Sequence, residues 1–135
     1  MMIGIVSADH EPTLQIGFQF GAGQEQPIEF ILDTGFSGSL TLPAALITSL
    51  GLPFRSRGSA VIADGSEIEF DIFAATVIWD GAPRGVLVEA AETEPLLGMR
   101  LLYGFNINIQ AIDGGKVTVK RLDEEQTGES VKHGE

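Results

Sequence analysis

Closely spaced turn signals are the feature that most constrains this chain. Asp-Gly pairs at Asp64-Gly65, Asp80-Gly81 and Asp113-Gly114 each separate two short apolar stretches. Asp-Gly between apolar runs is the strongest local signal for a hairpin, and we expect a type I′ turn at Asp64-Gly65. Between turns the pattern alternates, as in Thr13 to Phe20, where every second residue is apolar. Many short strands joined by glycine-rich turns predict an all-β fold, closed or nearly closed into a barrel.

Only two short segments of the sequence favour a helix. Pro43 to Leu50 is the best candidate, because proline suits the start of a helix and Gly51 stands where a left-handed C-terminal cap belongs. Leu97 to Tyr103 is long enough for a second, short helix. The predicted fold class is therefore all-β with one or two short helices.

The chain has 135 residues, the size of one domain, and we place that domain at residues 1–122. Residues 123–135 are rich in charge and poor in large apolar side chains. Such a segment buries too little apolar surface to offset its ordering entropy, so we expect an acidic disordered tail.

The net charge of −11 argues against nucleic acid and anionic membranes as partners, because little here could neutralise phosphates. The absence of cysteine excludes disulfides and thiolate metal sites. Met1 to Val6 has no basic start and too short an apolar run for a signal peptide. A cytoplasmic location is the resulting prediction.

The segment with the clearest chemistry is Asp33-Thr34-Gly35. The apolar strand Ile28 to Leu32 runs directly into the Asp33 carboxylate. Burying a carboxylate is costly unless hydrogen bonds or a shared proton compensate it, and Thr34 and Gly35 offer a hydroxyl and a close backbone turn. By itself the tripeptide is better explained as an Asx-turn at the end of a strand.

The order of the motifs adds information. An apolar strand ending in Asp33-Thr34-Gly35 is followed by the Asp64-Gly65 hairpin and then by Leu96-Leu97-Gly98 before a short helix. In this order and spacing, the chain resembles the retropepsin-like aspartic proteases over roughly Thr13 to Leu122. The resemblance implies a closed β-barrel protomer and the hydrolysis of peptide bonds.

The resemblance also implies roles for the site residues. Asp33 would be the catalytic carboxylate. Thr34 would brace the Asp33 loop against its symmetry mate, and Gly35 would present its carbonyl to the substrate backbone. The flap tip would be formed by Ala63, Asp64, Gly65 and Ser66. The support behind the Asp33 loop would come from Leu96, Leu97 and Gly98. Apart from the resemblance, the side chains near the flap and Phe36 suggest apolar pockets for the substrate.

Such a site needs two carboxylates, and the chain offers one suitable loop. Asp64 lacks the apolar strand end that precedes Asp33, whereas Asp113 is followed by no hydroxyl residue and lies in a terminal hairpin. A second copy of the chain would supply the other Asp33, most simply by twofold symmetry. The expected partners are a homodimer mate and a peptide substrate, with no cofactor and no metal.

The sequence departs from viral members of the family. Those members usually carry acidic residues where Ser37 and Gly38 stand, and arginine where Met99 stands. Loss of both sides of an ion pair suggests a different brace for the dimer.

Other sites are less well supported. His10 and His133 are the only histidines, which disfavours a serine triad around Ser37 and a zinc site. Arg84 and Arg100 are expected to be solvated, and Trp79 to pack in the core. A different function also remains open: a non-catalytic barrel of this fold that binds peptide or assembles with a partner.

Overall fold

The computed structural model describes residues 1–123. This part of the chain is mostly strand, with two short helices. The elements are β1 Met2–Val6, β2 Pro12–Phe20, β3 Gln24–Leu32, β4 Leu40–Leu42, α1 Ala44–Leu50, β5 Phe54–Val61, β6 Glu67–Trp79, β7 Ala82–Ala90, β8 Leu96–Leu97, α2 Met99–Leu102, β9 Phe105–Ile109 and β10 Lys116–Arg121.

The strands join one sheet in the order β5-β6-β7-β4-β8-β3-β2-β1-β10-β9. β6 pairs a second time, with β2, where Gly17 lies opposite Ile78 and Gln19 opposite Thr76. This extra pairing closes β2, β3, β8, β4, β7 and β6 into a ring of strands. The predicted mostly-β class with short helices is confirmed.

The apolar residues that alternate with polar ones along β2 form part of the hydrophobic core. Leu14, Ile16 and Phe18 are buried on one face, whereas Gln15 and Gln19 are exposed on the other. Phe18 stacks on Phe30 of β3, with ring centroids 5.8 Å apart. Burial of each such side chain stabilises the fold by about 1.5–3 kcal/mol relative to exposure.

Helix α1 forms where the sequence predicts it. Pro43 is its N-cap residue, and Gly51 ends it in the left-handed region with φ 65°. The Gly51 amide donates to the Thr48 carbonyl at 3.0 Å, which satisfies one of the open carbonyls at the helix end.

The turn prediction at Asp64-Gly65 is wrong in type. A type I′ turn needs positive φ at both central residues, but here Gly65 has φ 85° and Asp64 is not in the positive-φ region. The Gly65 amide donates to the Ile62 carbonyl, so the loop is a three-residue turn that ends on glycine. The two-residue turn with both φ angles positive lies instead at Asp80 (52°) and Gly81 (83°).

Trp79 is buried and meets Phe105 edge to face, with centroids 5.4 Å apart. None of the helices in residues 1–123 is long and apolar enough to cross a membrane. Apart from Asp123, the predicted acidic tail lies outside the described residues.

Candidate functional site

Asp33 stands at the centre of the sheet. β8 lies between β3 and β4, parallel to β3 through the Ile31–Leu96 pair and antiparallel to β4 through Leu40–Leu97. The chain leaving β3 at Asp33 must therefore pass around the end of β8 to reach β4. The Asp33 amide donates to the Leu97 carbonyl at 2.9 Å, which fixes the start of this loop.

The Asp33 carboxylate forms one local hydrogen bond. Its Oδ1 atom accepts from the Gly35 amide at 2.9 Å, the bond typical of an Asx-turn. Asp33 is half-buried, while Thr34 and Gly35 are exposed. Within residues 1–123 no second carboxylate is hydrogen-bonded to it. The turn thus positions the carboxylate and leaves part of it open to solvent or to another molecule.

Three consecutive amides hold the rest of the loop. Gly98, Met99 and Arg100 donate to carbonyls of Ser39, Phe36 and Gly38, respectively, at 2.8–3.1 Å. The backbones meet so closely that a Cβ on Gly98 would lie 2.3 Å from the Gly38 carbonyl oxygen. Gly98 has φ −106°, so close approach rather than backbone conformation requires glycine.

Thr41 supports the same region, a role that its local sequence did not predict. Its buried hydroxyl accepts a hydrogen bond from the Leu96 amide at 3.0 Å. This bond joins β8 to β4, and it adds to the few backbone hydrogen bonds that a strand of two residues can form with its neighbour. The only sequence signal is a hydroxyl residue between Leu40 and Leu42 in an apolar strand.

Phe36 packs on the loop itself. The ring is half-buried, and a Cβ on either Gly38 or Gly98 would come within 2.5 Å of it. Phe36 is not among the residues that line the groove next to it, which is bordered by Ser37, Gly38 and Ser39. In the single chain its ring therefore covers the backbone of the loop.

The hairpin tip from Ala63 to Ser66 is fully exposed. Asp64 Oδ1 accepts from the Ser66 hydroxyl at 2.6 Å and from the Ser66 amide at 2.8 Å. Both hydrogen bonds lower the pKa of the Asp64 carboxyl, and the bond from the Ser66 hydroxyl has the larger effect. A Cβ on Gly65 would meet no atom within 4 Å, so the tip projects into open space. The described hydrogen bonds do not join this tip to the Asp33 loop.

The main groove has a volume of about 1050 Å³ and is lined in part by residues that follow Asp33 closely in the chain. Ser37, Gly38 and Ser39 form one end of it, and β6 and β7 form much of its wall. Asp33 and the hairpin tip are not among its lining residues. In a single chain, the sequence-predicted catalytic and flap residues are therefore separate from the main groove.

Four charged residues line the groove, and none of them was predicted as a site residue from the sequence: Arg55, Arg84, Glu89 and Arg100. Glu89 lies close to Gly38, where a Cβ would come within 2.5 Å of its Oε2 atom. Burial raises the pKa of the Glu89 carboxyl. The residues come from β5, β7 and α2, so their convergence depends on the folded sheet.

The chain matches no protein-family model and no curated protein. Its function must therefore be argued from its own residues and geometry.

Proposed function

We propose that two copies of this chain form an aspartic endopeptidase of the retropepsin type, each copy folding as a closed β-barrel protomer. The observation that carries the proposal is the position of Asp33. It follows a central strand, its amide is fixed by Leu97, and its carboxylate remains partly open.

The proposed chemistry uses water as the nucleophile. Two carboxylates about 3 Å apart cannot both ionise easily, so the pair shares one proton. The ionised Asp33 takes a proton from water as the water oxygen attacks the peptide carbonyl carbon. The protonated Asp33 of the other copy donates a hydrogen bond to the carbonyl oxygen. Proton transfer to the departing nitrogen then releases an amine and a carboxylic acid.

The partner copy is required because each chain offers one such loop. Asp64 holds its own turn through Ser66, and Asp113 is an exposed residue of the terminal hairpin loop. Neither stands at the end of a buried strand. A dyad therefore needs Asp33 from both copies, with Thr34 and Gly35 exposed where the second loop would approach.

The direct test is Asp33→Asn, assayed for cleavage of a quenched fluorescent peptide library and for thermal stability. We expect cleavage to fall by at least about 1000-fold, because the dyad can no longer ionise, while the melting temperature stays near wild type. Asp113→Asn is the matched control, since it removes an exposed carboxylate that is not part of the Asp33 loop, and it should retain activity. Activity in Asp33→Asn equal to wild type would refute the proposal.

A non-catalytic peptide-binding module is the second candidate. The observation that favours it is that the main groove excludes Asp33. In that case the wild-type protein and the Asp33→Asn variant would both bind peptide with the same affinity, and neither would cleave it.

A further inference from the structure

Arginines are concentrated in the groove of an otherwise acidic protein. The chain has eight lysines and arginines against nineteen aspartates and glutamates. Three of those eight cations, Arg55, Arg84 and Arg100, line this groove, and Glu89 is the one acidic residue that does. The local charge is therefore opposite in sign to that of the whole chain.

The three groove arginines also lack ion-pair partners within residues 1–123. Elsewhere in the same region, Arg57 pairs with Glu69 and Asp71, and Arg121 pairs with Asp80. Arginine side chains already engaged by acids have fewer free donors and less net positive charge to offer a ligand. Those in the groove have their guanidinium donors available.

We propose that this groove binds acidic side chains of a peptide substrate, so that the enzyme prefers glutamate or aspartate near the cleaved bond. The inference rests on the proposed function for its substrate class. Guanidinium groups present planar, paired donors that match a carboxylate. The groove also offers the apolar side chains of Leu52, Ile72 and Leu87, which suit the carbon stems of a bound peptide.

The distance along the loop limits where the acidic residue must lie. Ser37 is four residues beyond Asp33, so their Cα atoms are at most about 14 Å apart. An extended peptide rises about 3.3 Å per residue and covers that distance in about four residues. The Ser37 end of the groove therefore lies within about four residues of the cleaved bond. Arg100 lies at this end, because its amide donates to the Gly38 carbonyl at 3.1 Å, so an acidic side chain bound by Arg100 should fall in the same range.

Glu89 opposes anion binding at the Ser37 end of the groove. It is half-buried beside Gly38 and belongs to β7, the strand that also carries Arg84. The charged groups facing the groove are thus one carboxylate and three guanidiniums, which leaves a net positive site. A nucleic acid is the less suitable occupant, because the rest of the chain would repel a run of phosphates.

The first test profiles cleavage of a randomised synthetic peptide library by mass spectrometry. Wild type should show glutamate and aspartate enriched within about four positions of the cut. Arg84→Gln with Arg100→Gln should lose that enrichment. Lys116→Gln with Lys120→Gln removes the same charge from exposed positions of β10 and should keep it. Equal profiles for wild type and the arginine variant would overturn the proposal.

The second test does not depend on catalysis. Fluorescence anisotropy on the Asp33→Asn protein compares a labelled decapeptide containing two glutamates with its glutamine twin. We expect the glutamate peptide to bind about tenfold more tightly, with the difference lost in the double arginine variant and reduced by added salt.

Equal affinity for the two peptides overturns the groove assignment. So does an equal loss of binding in the lysine control, or tighter binding of a single-stranded DNA oligonucleotide. If Asp33→Asn leaves cleavage unchanged, the proposed protease function fails. The anisotropy measurement still shows whether the groove prefers acidic peptides.

Discussion

The amide of Asp33 donates to the carbonyl oxygen of Leu97 at 2.9 Å, and this bond joins the two most informative motifs of the sequence. Leu97 is the last residue of β8, which lies between the strands that precede and follow the Asp33 loop. The position of the carboxylate therefore depends on a segment far away in the chain. Changes behind the loop should alter the site without touching Asp33.

Gly98→Ala tests that dependence. The added methyl would lie 2.3 Å from the Gly38 carbonyl oxygen, and both are backbone positions held by hydrogen bonds. We expect a loss of about 1–3 kcal/mol in the free energy of unfolding, measured by urea denaturation, from overpacking. Gly85→Ala is the control, because a Cβ there meets nothing within 4 Å. A stability of Gly98→Ala equal to that control would mean that the loop can move aside at no cost.

The strands around the site could be predicted because their pattern is local. Alternation in β2 and the helix signals at Pro43 and Gly51 depend on neighbouring residues, and the structure agrees with both. The turn at Asp64-Gly65 was mispredicted in type because its strands are joined by three loop residues rather than two. The same dipeptide chemistry gives both φ angles positive at Asp80-Gly81, where Trp79 pairs directly with Ala82.

The charged groove could not be predicted in this way. Arg55, Arg84 and Arg100 belong to three elements, and nothing in their local sequence indicates that they converge. Thr41 is a similar case, since its bond to Leu96 depends on the pairing of β4 with β8. Sequence patterns record periodicity along an element, whereas these contacts depend on the order of strands in the sheet.

Activity should depend on protein concentration. If each copy supplies one Asp33, the active fraction follows the monomer–dimer equilibrium by mass action. Specific activity should fall on dilution through the dissociation constant, and sedimentation velocity should show dimer converting to monomer over the same range. Constant specific activity in a protein that sediments as a monomer would contradict a shared site.

Glu89 predicts a pH dependence of stability. Burial raises the pKa of this carboxyl above its ordinary value of 4.5. The stability that the neutral Glu89 side chain contributes is therefore fully present below about pH 4.5. That stability is lost as the pH rises through the raised pKa, because the folded protein must then hold a partly buried charge. Glu89→Gln stays neutral, so its free energy of unfolding relative to wild type should increase between about pH 4 and pH 8.

Urea denaturation across that pH range measures the difference. Glu29→Gln, at an exposed position of β3, controls for the loss of one negative charge. A difference between Glu89→Gln and wild type that stays flat, or matches the Glu29 control, would show that burial of Glu89 has no effect on stability.

The hairpin tip gives the sharpest mechanistic prediction, because the chain contains its own control. Gly65 has φ 85° and Gly81 has φ 83°, and a Cβ on either would meet no atom within 4 Å. Valine at either position should strain the turn by about 1–2 kcal/mol, since a branched side chain rarely adopts positive φ.

The two variants should differ in turnover. If the tip from Ala63 to Ser66 closes over bound peptide, Gly65→Val distorts the moving part, whereas Gly81→Val distorts a turn at the other end of β6. We expect Gly65→Val to lower the peptide cleavage rate by at least about tenfold more than Gly81→Val at similar melting temperatures. Closure positions the scissile bond and excludes water, so the loss should appear mainly in kcat. Equal turnover in the two variants would mean that the tip is an ordinary surface hairpin.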